Sequence, residues 1–157
     1  KDEGMVKEQE SIRLENYCGI DNYLHFFGPD TNIKIKINDC NKQEYKELLR
    51  ELGKKYINGE VSLEIYPQVE ERLLPYGSGY EGLFGIAEPS LRVIAEAPEL
   101  KGRDYRAVKY HELMHVLGFD EEDARYISLT ENPDEIYERL LEELGCSNFN
   151  CGVDFYG

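Results

Sequence analysis

Alternating apolar and polar residues predict four short strands in this chain. In the first of them, Ile33, Ile35 and Ile37 alternate with two lysines and an asparagine. A period of two is typical of a strand that buries one face in the core. The same alternation, bounded by turn residues, predicts strands over 33–38, 61–65, 83–88 and 91–97.

Apolar residues spaced three and four apart predict three helices. The first covers residues 45–56. The second covers 104–117 and ends at Gly118, because glycine readily adopts the left-handed conformation that caps a helix. The third covers 132–144 and begins with an Asn-Pro pair, a common helix start. This order of elements predicts an α+β fold in which helices cover a small mixed sheet.

Residues 1–30 show no clear periodicity, which sets them apart from the rest of the chain. We therefore predict an N-terminal segment over 1–30 that wraps around or regulates the protein, a folded domain over 31–145, and a tail over 146–157. The total of 157 residues is enough for one domain with a substantial core.

A net charge of −14 narrows the classes of partner. Such a chain repels phosphate backbones and anionic membrane surfaces, so nucleic acid is not an expected partner. No apolar run approaches the roughly 20 residues of a membrane helix, and no span is predicted. The expected partner is therefore a peptide, a protein or a small molecule.

Four cysteines form an N-terminal pair, Cys18 and Cys40, and a C-terminal pair, Cys146 and Cys151. We predict two disulfides, with free thiols or a four-cysteine zinc site as alternatives. Disulfides would indicate a secreted protein or the cytoplasm of a thermophile. The abundance of Glu and Lys with few Gln is compatible with the latter.

The second predicted helix contains His111, Glu112 and His115 in the pattern His-Glu-x-x-His. Residues four apart share a helix face, so both imidazoles can bind one zinc ion while Glu112 faces a water molecule beside it. The neighbouring positions are apolar, as in a helix that crosses a core, with Lys109 as the exception. In the alternative interpretation, the two histidines are ordinary core residues with satisfied hydrogen bonds.

This region resembles the zincin metallopeptidases. Residues 82–88 (GLFGIAE), 92–95 (RVIA) and 106–110 (RAVKY) are similar to the corresponding run of archaemetzincins, and 115–118 (HVLG) agrees with the metzincin pattern His-x-x-Gly. The resemblance implies a zincin-like fold, with the motif helix under a small sheet and further helices behind it. It also implies one catalytic zinc ion and a peptide substrate bound along the edge strand 83–88.

The third metal ligand predicted from the resemblance is Glu121. Metzincins place a histidine or aspartate three residues after the glycine, which is Glu121 here, although the later methionine of that family is missing. Gluzincins use a glutamate on a later helix, and residues 121–125 (EEDAR) resemble their Glu-x-x-Ala stretch. The alternatives are Glu135, which lies twenty residues after His115, and three carboxylates beside Glu121, namely Asp120, Glu122 and Asp123.

The resulting prediction is a zinc-dependent endopeptidase. Zinc would activate a water molecule, and Glu112 would act as general base and then general acid. The alternative is a zincin-like domain that binds a peptide or a protein without cleaving it.

Overall fold

Residues 18–74 and 85–130 are described by a computed structural model of the chain. Within these ranges the strands are β1 (Asn22–Gly28), β2 (Thr31–Ile37), β3 (Ser62–Tyr66), β4 (Glu70–Leu73), β5 (Gly85–Glu88) and β6 (Val93–Glu96). The α-helices are α1 (Lys46–Ile57), α2 (Gly102–Val116) and α3 (Glu121–Ser128). This composition confirms the predicted α+β class.

The first sheet has the antiparallel order β2-β1-β3. Leu24 at its centre lies opposite Ile35 on one side and Ile65 on the other. Leu24 and Phe26 are fully buried, while the alternate residues of β1 face outward. The predicted strands 33–38 and 61–65 are therefore confirmed, each to within about two residues.

Strand β1 was missed by the sequence analysis. Its outward residues Tyr23, His25 and Phe27 are all aromatic, which conceals the alternation between apolar and polar positions. Strand β1 lies within the predicted segment 1–30 and is the central strand of the first sheet. The boundary at residue 145 lies outside the described residues and stays a prediction.

The second sheet has the order β4-β6-β5, with β4 parallel and β5 antiparallel to β6. The described residues thus form two sheets, whereas one sheet was predicted. The predicted strands 83–88 and 91–97 appear as β5 and β6 in shorter form, since residues 83 and 84 lie outside the described ranges and Leu91 is an exposed part of a 3-10 turn. Strand β4 was not predicted, because all four of its residues are exposed and carry no apolar alternation.

Helices α1 and α2 pack on one another inside the core. The Tyr110 ring of α2 is fully buried and lies against Gly53 of α1, and its hydroxyl donates a 2.6 Å hydrogen bond to the Leu49 carbonyl. The predicted helices over 45–56 and 104–117 are confirmed by α1 and α2. The predicted helix over 132–144 lies outside the described residues.

Cys18 and Cys40 form the predicted N-terminal disulfide. The bond ties the chain before β1 to the turn after β2 and is compatible with an extracellular protein. Cys146 and Cys151 lie outside the described residues. No helix in the described ranges has the length and apolar character needed to cross a membrane.

Gly53→Ala tests the contact between α1 and α2. A Cβ atom at residue 53 would lie 2.4 Å from Cε2 of Tyr110, which is too close for two carbon atoms that are not bonded to each other. We expect overpacking to reduce the free energy of unfolding by about 1–3 kcal/mol, measured by urea denaturation. Lys55→Ala, at an exposed position of the same helix, serves as the control and should change it by less than about 0.5 kcal/mol. Equal effects of the two variants would contradict the packing argument.

Candidate metal centre

A tight reversal after α2 builds the candidate site. Gly118 has a φ of +101°, which is left-handed backbone that favours glycine. The next residue, Phe119, donates its backbone N–H to the Met114 carbonyl, and α3 then begins at Glu121 with Asp120 as its N-cap. The predicted end of the motif helix at Gly118 is confirmed, and the first turn of α3 lies beside the last turn of α2.

Three side chains converge at this reversal. Oε1 of Glu121 lies 2.9 Å from Nε2 of His111 and 2.8 Å from Nε2 of His115, and the two Nε2 atoms are 3.2 Å apart. His111, His115 and Glu121 form the one group of potential metal ligands found among the described residues. The sequence prediction of Glu121 beside the two motif histidines thus corresponds to a real cluster.

The spacing of these atoms fits a tetrahedral zinc site. Zinc–nitrogen and zinc–oxygen bonds of about 2.0–2.1 Å place neighbouring tetrahedral ligand atoms about 3.3 Å apart. The three distances in the cluster are 2.8, 2.9 and 3.2 Å. A small outward movement of each side chain would therefore accommodate the ion and leave a fourth position open.

The far nitrogen of each histidine is held by a hydrogen bond. Nδ1 of His115 lies 3.0 Å from the Phe119 carbonyl oxygen, which can only accept, so Nδ1 carries the proton. The Nε2 atom of His115 then presents a lone pair toward Glu121. This is the tautomer that a metal ligand needs.

His111 is oriented by a chain of two hydroxyl groups. Oγ of Ser128 donates to the Ala124 carbonyl at 2.6 Å, Oγ1 of Thr130 lies 2.8 Å from Oγ of Ser128, and Nδ1 of His111 lies 2.9 Å from Oγ1 of Thr130. All three contacts are satisfied when each group donates to the next, starting from Nδ1 of His111. The Nε2 atom of His111 then also presents a lone pair.

Three acceptors therefore face one another at close range. Two imidazole lone pairs and a carboxylate oxygen repel unless a proton or a cation lies between them. Burial lowers the pKa of His111, with the charge of Glu121 opposing part of that shift. The pKa of Glu121 is lowered overall, because the two histidines outweigh the effect of burial. The donor set of two nitrogens and one carboxylate oxygen is one that zinc commonly uses.

The other candidate carboxylates are engaged elsewhere or lie apart. Asp120 caps α3 by accepting the backbone N–H of Asp123, and the carboxylate of Asp123 pairs with the Lys46 ammonium at 2.8 Å. Glu122 is exposed and belongs to no metal-binding group in the described ranges. Glu135 lies outside the described residues, so its candidacy stays a prediction.

Glu112 lies between the ligands in sequence and is buried, with 7% of its surface exposed. Burial, followed by the negative charge of Glu121, raises its pKa to about 8. Strand β5 passes directly over this side chain, because a Cβ atom at Gly85 would lie 2.8 Å from Oε2 of Glu112. Only a glycine fits at this point of β5.

Several residues around the site were missed by the sequence analysis. Ser128 and Thr130 fix His111, and Arg125 donates from Nε to Oε2 of Glu121 at 3.1 Å. Hydroxyl groups carry no periodic signal, so Ser128 and Thr130 could not be found without the fold. Arg125 stands four residues after Glu121, a spacing at which helical side chains are neighbours, but no helix was predicted over these residues.

The hydroxyl groups of Tyr110 and Tyr126 are engaged away from the cluster. Tyr110 donates to the Leu49 carbonyl inside the core, and the Tyr126 hydroxyl donates to Glu47 of α1 at 2.9 Å. The third histidine, His25, bonds to Asn32 in the first sheet. The loop tyrosines over 76–80 lie outside the described residues.

A second polar cluster, around the buried Glu96, lies one helical turn before Glu112. Glu96, at the end of β6, is fully buried and receives no hydrogen bond from an N–H or hydroxyl donor of the described residues. Glu71 of β4 accepts from the Tyr105 hydroxyl and pairs with the Lys109 ammonium at 3.1 Å. Burial, and then the hydrogen bond and charge of Glu71, raise the pKa of Glu96 to about 9. A carboxyl group with a pKa raised this far favours its protonated form at neutral pH.

Comparison with protein-family models, curated proteins and solved structures finds no match to this chain. The assignment of a function thus depends on the geometry and chemistry of the site.

Glu121→Gln tests the ligand set. Replacing a carboxylate by a neutral amide should lower the zinc affinity by about a hundredfold or more, measured by competition with a chromophoric chelator. The matched control is Glu122→Gln, which removes the same charge at the next, exposed position and should leave the affinity within a few fold. Equal loss in both variants would contradict the role of Glu121.

Glu96→Gln tests the protonated carboxyl group. A group whose pKa is about 9 in the folded protein and about 4.5 when unfolded stabilises the fold at low pH and loses that contribution as the pH rises to 9. Glutamine keeps a donor toward Glu71 but does not titrate. We expect the Tm of the variant to rise relative to the wild type by about 2–4 °C per pH unit between pH 5 and pH 9. Parallel curves would contradict a buried proton on Glu96.

Proposed function

We propose that this protein is a zinc-dependent endopeptidase with a zincin-like active site. The observation that carries the proposal is the convergence of His111, His115 and Glu121 beside the buried Glu112. The resemblance of residues 82–118 to zincin metallopeptidases adds to it. The proposed site would hold zinc with three protein ligands and place the Glu112 carboxylate next to the ion.

The chain's own residues supply the proton transfers of such a reaction. Zinc, when bound, makes a water molecule more acidic and polarises the carbonyl group of a peptide bond. Glu112 accepts the proton of the attacking water and returns it to the leaving amine nitrogen. Burial raises the pKa of Glu112, so its carboxylate holds an accepted proton more tightly than a surface carboxylate does.

We place the peptide substrate along the edge strand β5. It is the last strand in the described order β4-β6-β5, and its Gly85 lies against Glu112. A peptide that adds to β5 as a further strand would run past Glu112 with its backbone held by main-chain hydrogen bonds. This mode of binding selects an extended, unfolded segment of a protein or peptide.

The disulfide bears on the compartment in which the protein acts. Cys18–Cys40 is compatible with secretion, and a thermophile's cytoplasm is the alternative. In either place, unfolded protein segments are available as substrates.

A zincin-like domain that binds a peptide without cleaving it is the second candidate. The partner would use the same β5 edge, and zinc would brace the reversal at Gly118. The presence of a buried carboxylate beside the ligands favours the enzyme, because a binding domain has no need for a base there.

Glu112→Gln distinguishes the two candidates. Cleavage of an unfolded protein by the zinc-loaded variant should fall by about a hundredfold or more, because the proton acceptor is lost. Zinc content should remain stoichiometric, since Glu112 is not a proposed ligand. Glu64→Gln, at an exposed position of β3 in the first sheet, is the control and should cleave like the wild type.

Two other outcomes would contradict the proposed endopeptidase activity. Stoichiometric zinc without cleavage in either protein would favour the binding domain. Failure to bind zinc after reconstitution would overturn both candidates.

A further inference from the structure

Lys109 is a charged residue on the same helix as the proposed base Glu112. Lys109 and Glu112 are three residues apart on α2, a spacing at which side chains are neighbours. Yet the Lys109 ammonium extends toward the start of the helix, where it lies 5.8 Å above the Tyr105 ring and 3.1 Å from Oε1 of Glu71. The lysine is therefore directed away from Glu112.

A lysine that turned toward Glu112 would interfere with proton transfer. Its ammonium would occupy the carboxylate oxygen that has to accept a proton from water. In a partly buried site this attraction is stronger than at a free surface, since the effective dielectric constant is lower. A charged residue at this position thus needs a competing anion.

The carboxyl pair Glu71–Glu96 supplies that anion. Glu71 pairs with the Lys109 ammonium at 3.1 Å, and the burial of the neighbouring Glu96 disfavours a second negative charge on the pair. Glu71 comes from β4 and Glu96 from β6, so the pair is fixed by the sheet and not by α2. We propose that the Glu71–Glu96 pair is a positioning anchor that holds the Lys109 ammonium away from Glu112.

The proposal rests on the proposed role of Glu112 as the base, but its geometry can be tested without any activity. Neutralising Glu71 alone would leave Glu96 free to take over the charge. The test variant is therefore Glu71→Gln/Glu96→Gln, and Glu71→Ser/Glu96→Gln, which also removes both charges, takes its place if the first variant does not fold. The matched control is Glu60→Gln/Glu64→Gln, which removes two exposed charges near the first sheet.

The first measurement is the coupling between Lys109 and Glu112 in thermal unfolding. Lys109→Met, Glu112→Gln and their combination are compared in the wild-type, test and control backgrounds, without zinc. We expect no measurable coupling in the wild-type and control backgrounds. In the test background, where Lys109 is released to pair with Glu112, the coupling should amount to about 2–4 °C in Tm. Coupling of equal size in all three backgrounds, or in none, would overturn the proposal.

The second measurement is cleavage of an unfolded protein by the zinc-loaded variants. Glu71→Gln/Glu96→Gln should lower kcat by about tenfold or more, and adding Lys109→Met should restore it. Lys109→Met alone should cleave like the wild type. A cluster with a merely structural role would show additive losses and no restoration, which would overturn the anchor.

The two proposals fail in different ways. If the thermal coupling appears only in the test background while the zinc-loaded wild type cleaves nothing, the anchor is supported and the peptidase function is overturned. If the wild type cleaves and Lys109→Met does not restore the folded test variant, the anchor is overturned and the peptidase function stands.

Discussion

The mutual repulsion of three acceptors is the constraint on which the site depends. Two Nε2 lone pairs and Oε1 of Glu121 lie within 3.2 Å of one another, a geometry that is stable only around a positive charge. The fold imposes this arrangement from both ends. The left-handed Gly118 returns the chain over the end of α2, and hydrogen bonds from the far side of each imidazole prevent the lone pairs from turning away.

Contacts with α1 and β5 fix the position of the motif helix α2 in the core. Tyr110 seats α2 against Gly53 of α1, and strand β5 closes over Glu112 at Gly85. Burial on both sides explains why Glu112 has a pKa near neutrality. The charge of Lys109 is tolerated on the same helix because two strands of the second sheet bring carboxyl groups to meet it.

Sequence patterns predicted what local periodicity encodes. Alternating isoleucines predicted β2, helical spacing predicted α1 and α2, and the resemblance to metzincins and gluzincins selected Glu121. Strand β1 was missed because aromatic residues occupy both of its faces, and β4 because it is exposed throughout. Ser128, Thr130, Glu71 and Glu96 were beyond prediction, since each acts through a partner that is distant in sequence and near only in the fold.

The burial of Glu112 is the strongest physical reason to consider catalysis. A carboxyl group in an apolar setting destabilises its ionised form, and the negative charge of Glu121 adds to that cost. A domain that used zinc only to brace the turn at Gly118 would be more stable with an apolar residue at position 112, because Glu112 is not one of the proposed ligands. Retaining a carboxylate under β5 makes physical sense where an extended peptide and a water molecule meet at that point.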